Sequence, residues 1–169
     1  KDTLALVRTG QDHACDISIV DQVVSYNAER KASMAGRVER AAGGSVDGKT
    51  IAVLGLAFKP ETDDMRDSPS LDIIPALLAA GAHIRAYDPK AMDEARHLLP
   101  AGTVFQDSAL DCLDGADLAV VVTEWNEFRA LTPSLFLDKM AGNTLVDLRN
   151  IYDPAVMRDA GLKYMSIGR

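Results

Sequence analysis

Three cations and one aromatic side chain are spaced so that they could hold an anion. Phe58, Lys59 and Arg66 lie in a polar stretch after a short apolar run, and Arg149 follows another such run much later. Lysine and arginine are common phosphate ligands, and arginine can use two parallel N–H donors at once. A neighbouring aromatic ring could pack against a base or a ribose. The pattern therefore predicts a site for a phosphate-bearing ligand.

The polar stretch lies between a predicted strand and a predicted helix. Residues 50–54 are apolar and β-branched and stop at Gly55, which is typical of a strand that is covered on both faces. Ser68 suits the N-cap of the next helix and Pro69 its first position, and the helix ends before Gly81. The free amides at a helix N-terminus favour an anion, as the two cations do.

This stretch does not resemble a dinucleotide-binding turn. Such a turn needs three glycines so that the backbone can reach a pyrophosphate, but here only Gly55 is present, and Phe58 and Lys59 fill the space. Side chains would therefore have to contact the phosphate. Spacing alone leaves two interpretations open, an anion site and a solvated loop that carries an ordinary lysine and arginine.

The rest of the chain alternates between strands and helices from residue 49 onward. Strands are predicted over residues 50–54, 82–87, 103–105, 118–122, 144–148 and 164–167. This alternation indicates an α/β fold, a Rossmann-like doubly wound parallel sheet with a long N-terminal helix over residues 16–42. Asp88 ends the second strand, where an acidic residue can accept a ribose hydroxyl, although the following Pro89 favours a turn.

Two domains are expected, a helical segment over residues 1–46 and an α/β domain over residues 47–169. The net charge of −7 argues against nucleic acid or an anionic membrane as partner, and no apolar run is long enough to span a bilayer. Cys15 and Cys112 lack metal-ligand spacing and are both expected to pack in the core. A reduced, cytoplasmic protein is the simplest interpretation.

Several motifs carry a family resemblance. They are Gly55-Leu-Ala-Phe-Lys-Pro, Thr62-Asp-Asp-Met-Arg-Asp-Ser-Pro-Ser, Tyr87-Asp-Pro, Thr123-Glu-Trp-Asn-Glu-Phe, Asp147-Leu-Arg-Asn and the opening Lys1-Asp-Thr-Leu-Ala-Leu. Together they resemble the C-terminal domain of the UDP-glucose 6-dehydrogenases, within the UDP-glucose/GDP-mannose dehydrogenase family. The resemblance covers essentially the whole chain. It implies that residues 1–46 are part of a central helical or dimerisation segment and that residues 47–169 are a nucleotide-sugar-binding domain.

The resemblance implies roles for six residues. Phe58, Lys59 and Arg149 would contact the UDP-sugar, and Arg66 would reach NAD bound to another domain. The remaining two follow the catalytic cysteine of the family: Lys1 would lie near the cofactor and Asp2 would assist the chemistry.

The resemblance also implies what this chain would need from elsewhere. The opening without an initiator Met predicts a piece of a larger protein, with the NAD-binding domain and the catalytic cysteine outside it, so that the piece alone would be inactive. The whole enzyme would oxidise UDP-glucose in two NAD-dependent hydride transfers, as a homodimer or higher homo-oligomer. The alternatives are a GDP-mannose or UDP-N-acetylmannosamine dehydrogenase and a non-enzymatic α/β binding or scaffold domain.

Overall fold

The computed structural model describes residues 2–168, and the chain divides into two compact units, Lys1–Met34 and Ala35–Arg169. The first unit holds helix α1 (Asp2–Asp12) and most of helix α2 (Ser18–Ala41), and α2 matches the long helix predicted over residues 16–42. The Ser18 N–H donates to Asp16 Oδ1 at 2.9 Å, which gives one of the free amides at the start of α2 a partner. The predicted boundary between residues 46 and 47 stays a prediction.

The first unit leaves much of its apolar surface uncovered. Its exposed large apolar side chains are Leu4, Leu6, Ile19, Val23 and Tyr26. The prediction that Cys15 packs in the core is wrong, because the chain turns after α1 and Cys15 lies exposed in the link between the helices.

The second unit contains the last turns of α2, from Ala35 on, and an alternation of strands and helices. Its further elements are β1 (Thr50–Leu54), α3 (Ser70–Ala79), β2 (His83–Tyr87), α4 (Met92–Leu98), β3 (Thr103–Phe105), α5 (Ala109–Leu113), β4 (Leu118–Val121), α6 (Asn126–Arg129), α7 (Pro133–Lys139), β5 (Thr144–Asp147), α8 (Pro154–Asp159) and β6 (Lys163–Ser166). Each predicted strand is present within one or two residues of its expected bounds.

Within residues 2–168 the strands form one parallel sheet of six, in the order β3-β2-β1-β4-β5-β6. This is the strand order of the doubly wound dinucleotide fold, so the predicted architecture is confirmed. The two central strands, β1 and β4, are buried over almost their whole length, which explains why their sequences are continuously apolar.

One apolar cluster of the second unit is built on β1, β4 and β5. Their inward side chains pack with Phe128, Phe136 and Tyr152, and the rings of Phe136 and Tyr152 meet edge to face with centroids 5.8 Å apart. Cys112 is buried in this cluster as predicted, and burial raises the pKa of its thiol to about 12. None of the helices in the described part of the chain has the length and apolarity that crossing a membrane requires.

Two local predictions differ from the structure. Helix α6 was not predicted, because four residues are too few to show a helical period. The helix after β1 begins at Ser70, and Ser68 does not cap it in the predicted way. The Ser68 hydroxyl instead donates to the Leu56 carbonyl at 2.6 Å, so it closes the loop that precedes the helix.

Candidate functional site

The carboxyl ends of β1, β4 and β5 lie side by side at one edge of the sheet. The register pairs Leu54 with Val121 and Val121 with Asp147, which are the last residues of the three strands. The loops that follow these strands are therefore neighbours, with β4 in the middle. Adjacent strands lie roughly 5 Å apart, so the β1 and β5 ends are separated by roughly 10 Å. Ligands of open α/β sheets bind at such an edge.

Asp88, directly after β2, anchors the first residues of the loop between β1 and α3 (residues 55–69). Asp88 Oδ2 accepts the N–H groups of Leu56 at 2.7 Å and Ala57 at 3.0 Å. The hydroxyls of Ser68 and Ser70 both donate to the Leu56 carbonyl. The base of the loop is therefore fixed immediately before Phe58 and Lys59.

Asp88 has no capacity left for a ribose. Besides the two loop amides, its carboxylate accepts the N–H groups of Lys90 and Ala91 and the indole N–H of Trp125. Five donors on one buried carboxylate use its acceptor sites. The sequence left two roles open for Asp88, and the structure supports its role as a turn-forming residue.

Phe58 and Lys59 lie on the exposed tip of this loop. The Phe58 N–H donates to the Asp64 carbonyl at 2.8 Å, which closes the tip, while the Phe58 side chain is 49% exposed. A large aromatic ring left this open beside a lysine is available for stacking on a ligand. The position of both side chains suits the predicted contact with a nucleotide.

Arg66 is already paired with a carboxylate of its own loop. Its Nε and Nη2 atoms donate to the two oxygens of Asp64 at 2.8 and 2.7 Å. The hydrogen bond from the Arg66 side chain is the largest of the effects that hold the pKa of Asp64 below its usual range, and the charge of Lys59 adds to them. Lys59 and Arg66 therefore act on the same carboxylate.

Arg149 is paired as well, but with a residue of another strand end. Its Nε and Nη2 atoms donate to the two oxygens of Glu124 at 2.5 and 2.7 Å. Burial raises the pKa of Glu124, but the hydrogen bond and charge of Arg149, together with a backbone hydrogen bond and the charge of Arg129, outweigh burial, so the pKa is lowered overall. The bidentate pair joins the β4 end to the β5 end.

Asp147, the last residue of β5, fixes the backbone that carries Arg149. Its carboxylate is fully buried and accepts the N–H groups of Arg149, Ile151 and Tyr152 and the hydroxyl of Tyr164. This set of donors gives the turn after β5 a defined shape.

The structure thus brings together four of the six predicted site residues, which are Phe58, Lys59, Arg66 and Arg149, at one edge of the second unit. Asp2 begins α1 in the first unit, and Lys1 lies outside the described residues. The pairing carboxylates Asp64 and Glu124 were not predicted. Two features of the sequence could have indicated them: Asp64 lies two residues before Arg66, and Glu124 follows the most apolar strand.

The sequence that forms this edge matches the model of a known protein family. The model of the UDP-glucose/GDP-mannose dehydrogenase family, UDP binding domain, matches residues 52–154, from β1 to the start of α8. The chain belongs to the UDP-glucose/GDP-mannose dehydrogenase family. The matched range includes Phe58, Lys59, Arg66 and Arg149, so the UDP binding domain of the family contains the edge described above.

Individual members of the family are similar over nearly the whole chain. The UDP-glucose 6-dehydrogenase of Rhizobium meliloti is 47% identical over all 169 residues, and the chain spans 38% of that relative's length. A solved UDP-glucose dehydrogenase from Pyrobaculum islandicum superimposes with a TM-score of 0.78 at 29% identity, covering 97% of this chain and 35% of that one. A UDP-D-ManNAc dehydrogenase from Pyrococcus horikoshii gives a TM-score of 0.67 at 27% identity, covering 90% and 33%.

Proposed function

We propose that this chain is the UDP-sugar-binding part of an NAD-dependent UDP-glucose 6-dehydrogenase, which converts UDP-glucose to UDP-glucuronate in two successive hydride transfers. The observation that carries the proposal is the presence of Lys59 and Arg149 on the loops after β1 and β5, on either side of β4, at one edge of the domain that the family uses to bind UDP. The similar proteins named as UDP-glucose 6-dehydrogenases support glucose as the sugar.

Each site residue has one proposed role. Phe58 packs against the base or ribose, and Lys59 and Arg149 contact the phosphates or sugar hydroxyls of the substrate. Arg66 and Lys1 contact NAD, and Asp2 assists the chemistry beside the nucleophile. The proposal includes a homodimer or higher homo-oligomer in the cytoplasm.

NAD does not fit the β1–α3 loop as its main site. A dinucleotide cradle needs glycines where the backbone meets the pyrophosphate, and this loop offers Gly55 followed by the side chains of Phe58 and Lys59. We therefore assign NAD to a different domain.

Calorimetric titration with UDP, and with GDP as control, tests the proposal. We expect UDP to bind more tightly than GDP, and Lys59→Ala to weaken UDP binding by about 1–3 kcal/mol, the range for a lost hydrogen bond to a charged group. Lys163→Ala is a matched control, because Lys163 begins β6 at the opposite end of the strands. Unchanged UDP affinity in Lys59→Ala would contradict the site assignment.

The same titration separates the alternatives. Preference for GDP would favour a GDP-mannose dehydrogenase. Binding of neither nucleotide would mean that the site needs the NAD-binding domain or that the chain is a non-enzymatic scaffold, and the same titration of the whole protein decides between these two. The structural similarity to a UDP-D-ManNAc dehydrogenase keeps N-acetylmannosamine open as the sugar. Comparing UDP-glucose with UDP-N-acetylmannosamine as substrates of the whole enzyme decides between these two.

A further inference from the structure

Three consecutive residues after β4 contact both cation-bearing loops. This 123–125 segment consists of Thr123, Glu124 and Trp125. The Thr123 hydroxyl donates to the Ala57 carbonyl at 2.6 Å, and both atoms are buried. Glu124 reaches to the other side and binds Arg149 through two hydrogen bonds. One short segment therefore touches the Lys59 loop and Arg149 at the same time.

The contact with the Lys59 loop has two further components. The indole N–H of Trp125 donates to Asp88 Oδ2 at 3.1 Å, the same oxygen that accepts the loop amides. In addition, Gly55 has a φ of +94°, and a Cβ at this position would lie 2.5 Å from Thr123 Cβ. Only glycine permits so close an approach in this backbone conformation. The β1–α3 loop and the 123–125 segment are thus in direct contact.

The contact with Arg149 leaves the arginine able to bind a ligand. A guanidinium has five N–H donors, and the pair with Glu124 uses two of them. Glu124 thereby restricts the orientation of the guanidinium before any ligand arrives. Presetting a side chain in this way lowers the conformational entropy that binding must remove.

We propose that the 123–125 segment is a positioning element that fixes Lys59 and Arg149 relative to each other for a nucleoside diphosphate. The inference rests on the proposed function, because it assumes that both cations contact one ligand. Thr123 acts through the Lys59 loop and Glu124 acts through Arg149. Neither residue needs to touch the ligand.

UDP titration of two conservative variants tests this role. Glu124→Asp keeps the negative charge but is too short to hold Arg149 in the same bidentate pair, and Thr123→Val keeps the side-chain shape but removes the hydroxyl. We expect each to weaken UDP binding roughly threefold to tenfold, the scale of coupling between residues in contact. Thr123→Ser, which restores a hydroxyl, should bind UDP nearly as the unchanged protein does.

Double-mutant cycles show through which cation each residue acts. The effect of Glu124→Asp should disappear in an Arg149→Ala background and persist in Lys59→Ala, and Thr123→Val should show the reverse pattern. A segment that only stabilises the fold would weaken binding equally in both backgrounds. Glu127→Asp is the matched control: Glu127 accepts a hydrogen bond from the Tyr87 hydroxyl and contacts neither cation in the described contacts.

The inference is supported if Glu124→Asp weakens UDP binding only where Arg149 is present and Thr123→Val only where Lys59 is present. If Lys59→Ala and Arg149→Ala weaken UDP binding but Glu124→Asp and Thr123→Val do not, the positioning role is wrong and the proposed function stands. Effects that persist in both backgrounds also overturn it. If neither cation variant changes UDP affinity, the proposed function fails, and the positioning inference fails with it.

Discussion

Two turns with the same sequence pattern, Asp-x-Arg, carry the arginines at this edge of the sheet. In the first turn the Arg66 N–H donates to Asp64 Oδ1 at 3.0 Å, and in the second the Arg149 N–H donates to Asp147 Oδ1 at 2.9 Å. This is the local side-chain-to-backbone bond typical of aspartate in turns. The two turns begin in the same way, but they use their carboxylates differently.

The likeness extends one residue further. Asp67 follows Arg66 with a φ of +60°, and Asn150 follows Arg149 with a φ of +57°. Aspartate and asparagine tolerate this left-handed conformation better than most residues. Both loops therefore share an aspartate that accepts the arginine N–H and a left-handed residue directly after the arginine.

Burial accounts for the difference. Asp147 is fully buried, and its remaining acceptor sites take backbone amides and the Tyr164 hydroxyl, so Arg149 pairs with Glu124 from the neighbouring strand end. Asp64 is partly exposed and pairs with the side chain of its own Arg66, which is itself 79% exposed. The Arg66–Asp64 pair therefore stays within one loop, whereas the Arg149–Glu124 pair connects two strand ends.

The largest expected contrast is between the two aspartates. Asp147→Asn places an amide NH₂ against groups that all donate hydrogen bonds, so we expect it to lower the free energy of unfolding by roughly 2–3 kcal/mol. Asp64→Asn should leave the unfolding midpoint unchanged, because water competes for an exposed pair. Urea unfolding, followed by the fluorescence of Trp125, the one tryptophan of the protein, measures both. Equal midpoints for the two variants would contradict the comparison.

The difference between the turns also shows how far the sequence could predict this site. Apolar runs and their spacing were enough to place β1, β4 and β5, and the parallel arrangement put Lys59 and Arg149 at the same edge of the sheet. The pattern of turn residues could not tell which Asp-x-Arg carboxylate would bind its own arginine. That choice depends on burial and on a neighbouring strand, which are properties of the folded chain.

Asp88 shows the same limit. From the sequence, an acidic residue at the end of the second strand suited either a ribose or a turn. In the structure, five N–H donors bond the Asp88 carboxylate and exclude the ribose role. Two of them belong to the β1–α3 loop and one to Trp125. The loop and the tryptophan lie about 30 residues away on either side, so no local pattern could have revealed the shared carboxylate.

A second contrast concerns the ligand. We expect Arg149→Ala to weaken UDP binding by about 1–2 kcal/mol, because the variant lacks the charge-assisted hydrogen bonds that the guanidinium makes to the substrate. Arg66→Ala should leave UDP affinity unchanged, since Arg66 is assigned to NAD. Calorimetric titration of both variants with UDP tests the two assignments together. A loss of UDP affinity in Arg66→Ala would assign both turns to one ligand and remove the distinction between them.

The smallest expected effect is on the acidity of the two pairing carboxylates. The pKa of Glu124 lies below its ordinary value although burial acts to raise it, so removing the guanidinium by Arg149→Ala should raise this pKa and leave only a backbone hydrogen bond and the charge of Arg129 to oppose burial. The pKa of Asp64 should stay below its ordinary value in Arg66→Ala, because the backbone N–H at position 66 and the charge of Lys59 remain. NMR titration of the carboxyl carbons measures both.

The sign of the stability effect follows from the lowered pKa of Glu124. A carboxyl whose pKa is depressed by folding contributes stability above its unfolded pKa, and that contribution is lost as the pH falls through the folded pKa. The urea midpoint of the unchanged protein should therefore exceed that of Arg149→Ala by a constant amount above about pH 5, and the gap should narrow below about pH 4.5. A gap that stays constant into strong acid would mean that the Glu124 pair does not tie the two strand ends together.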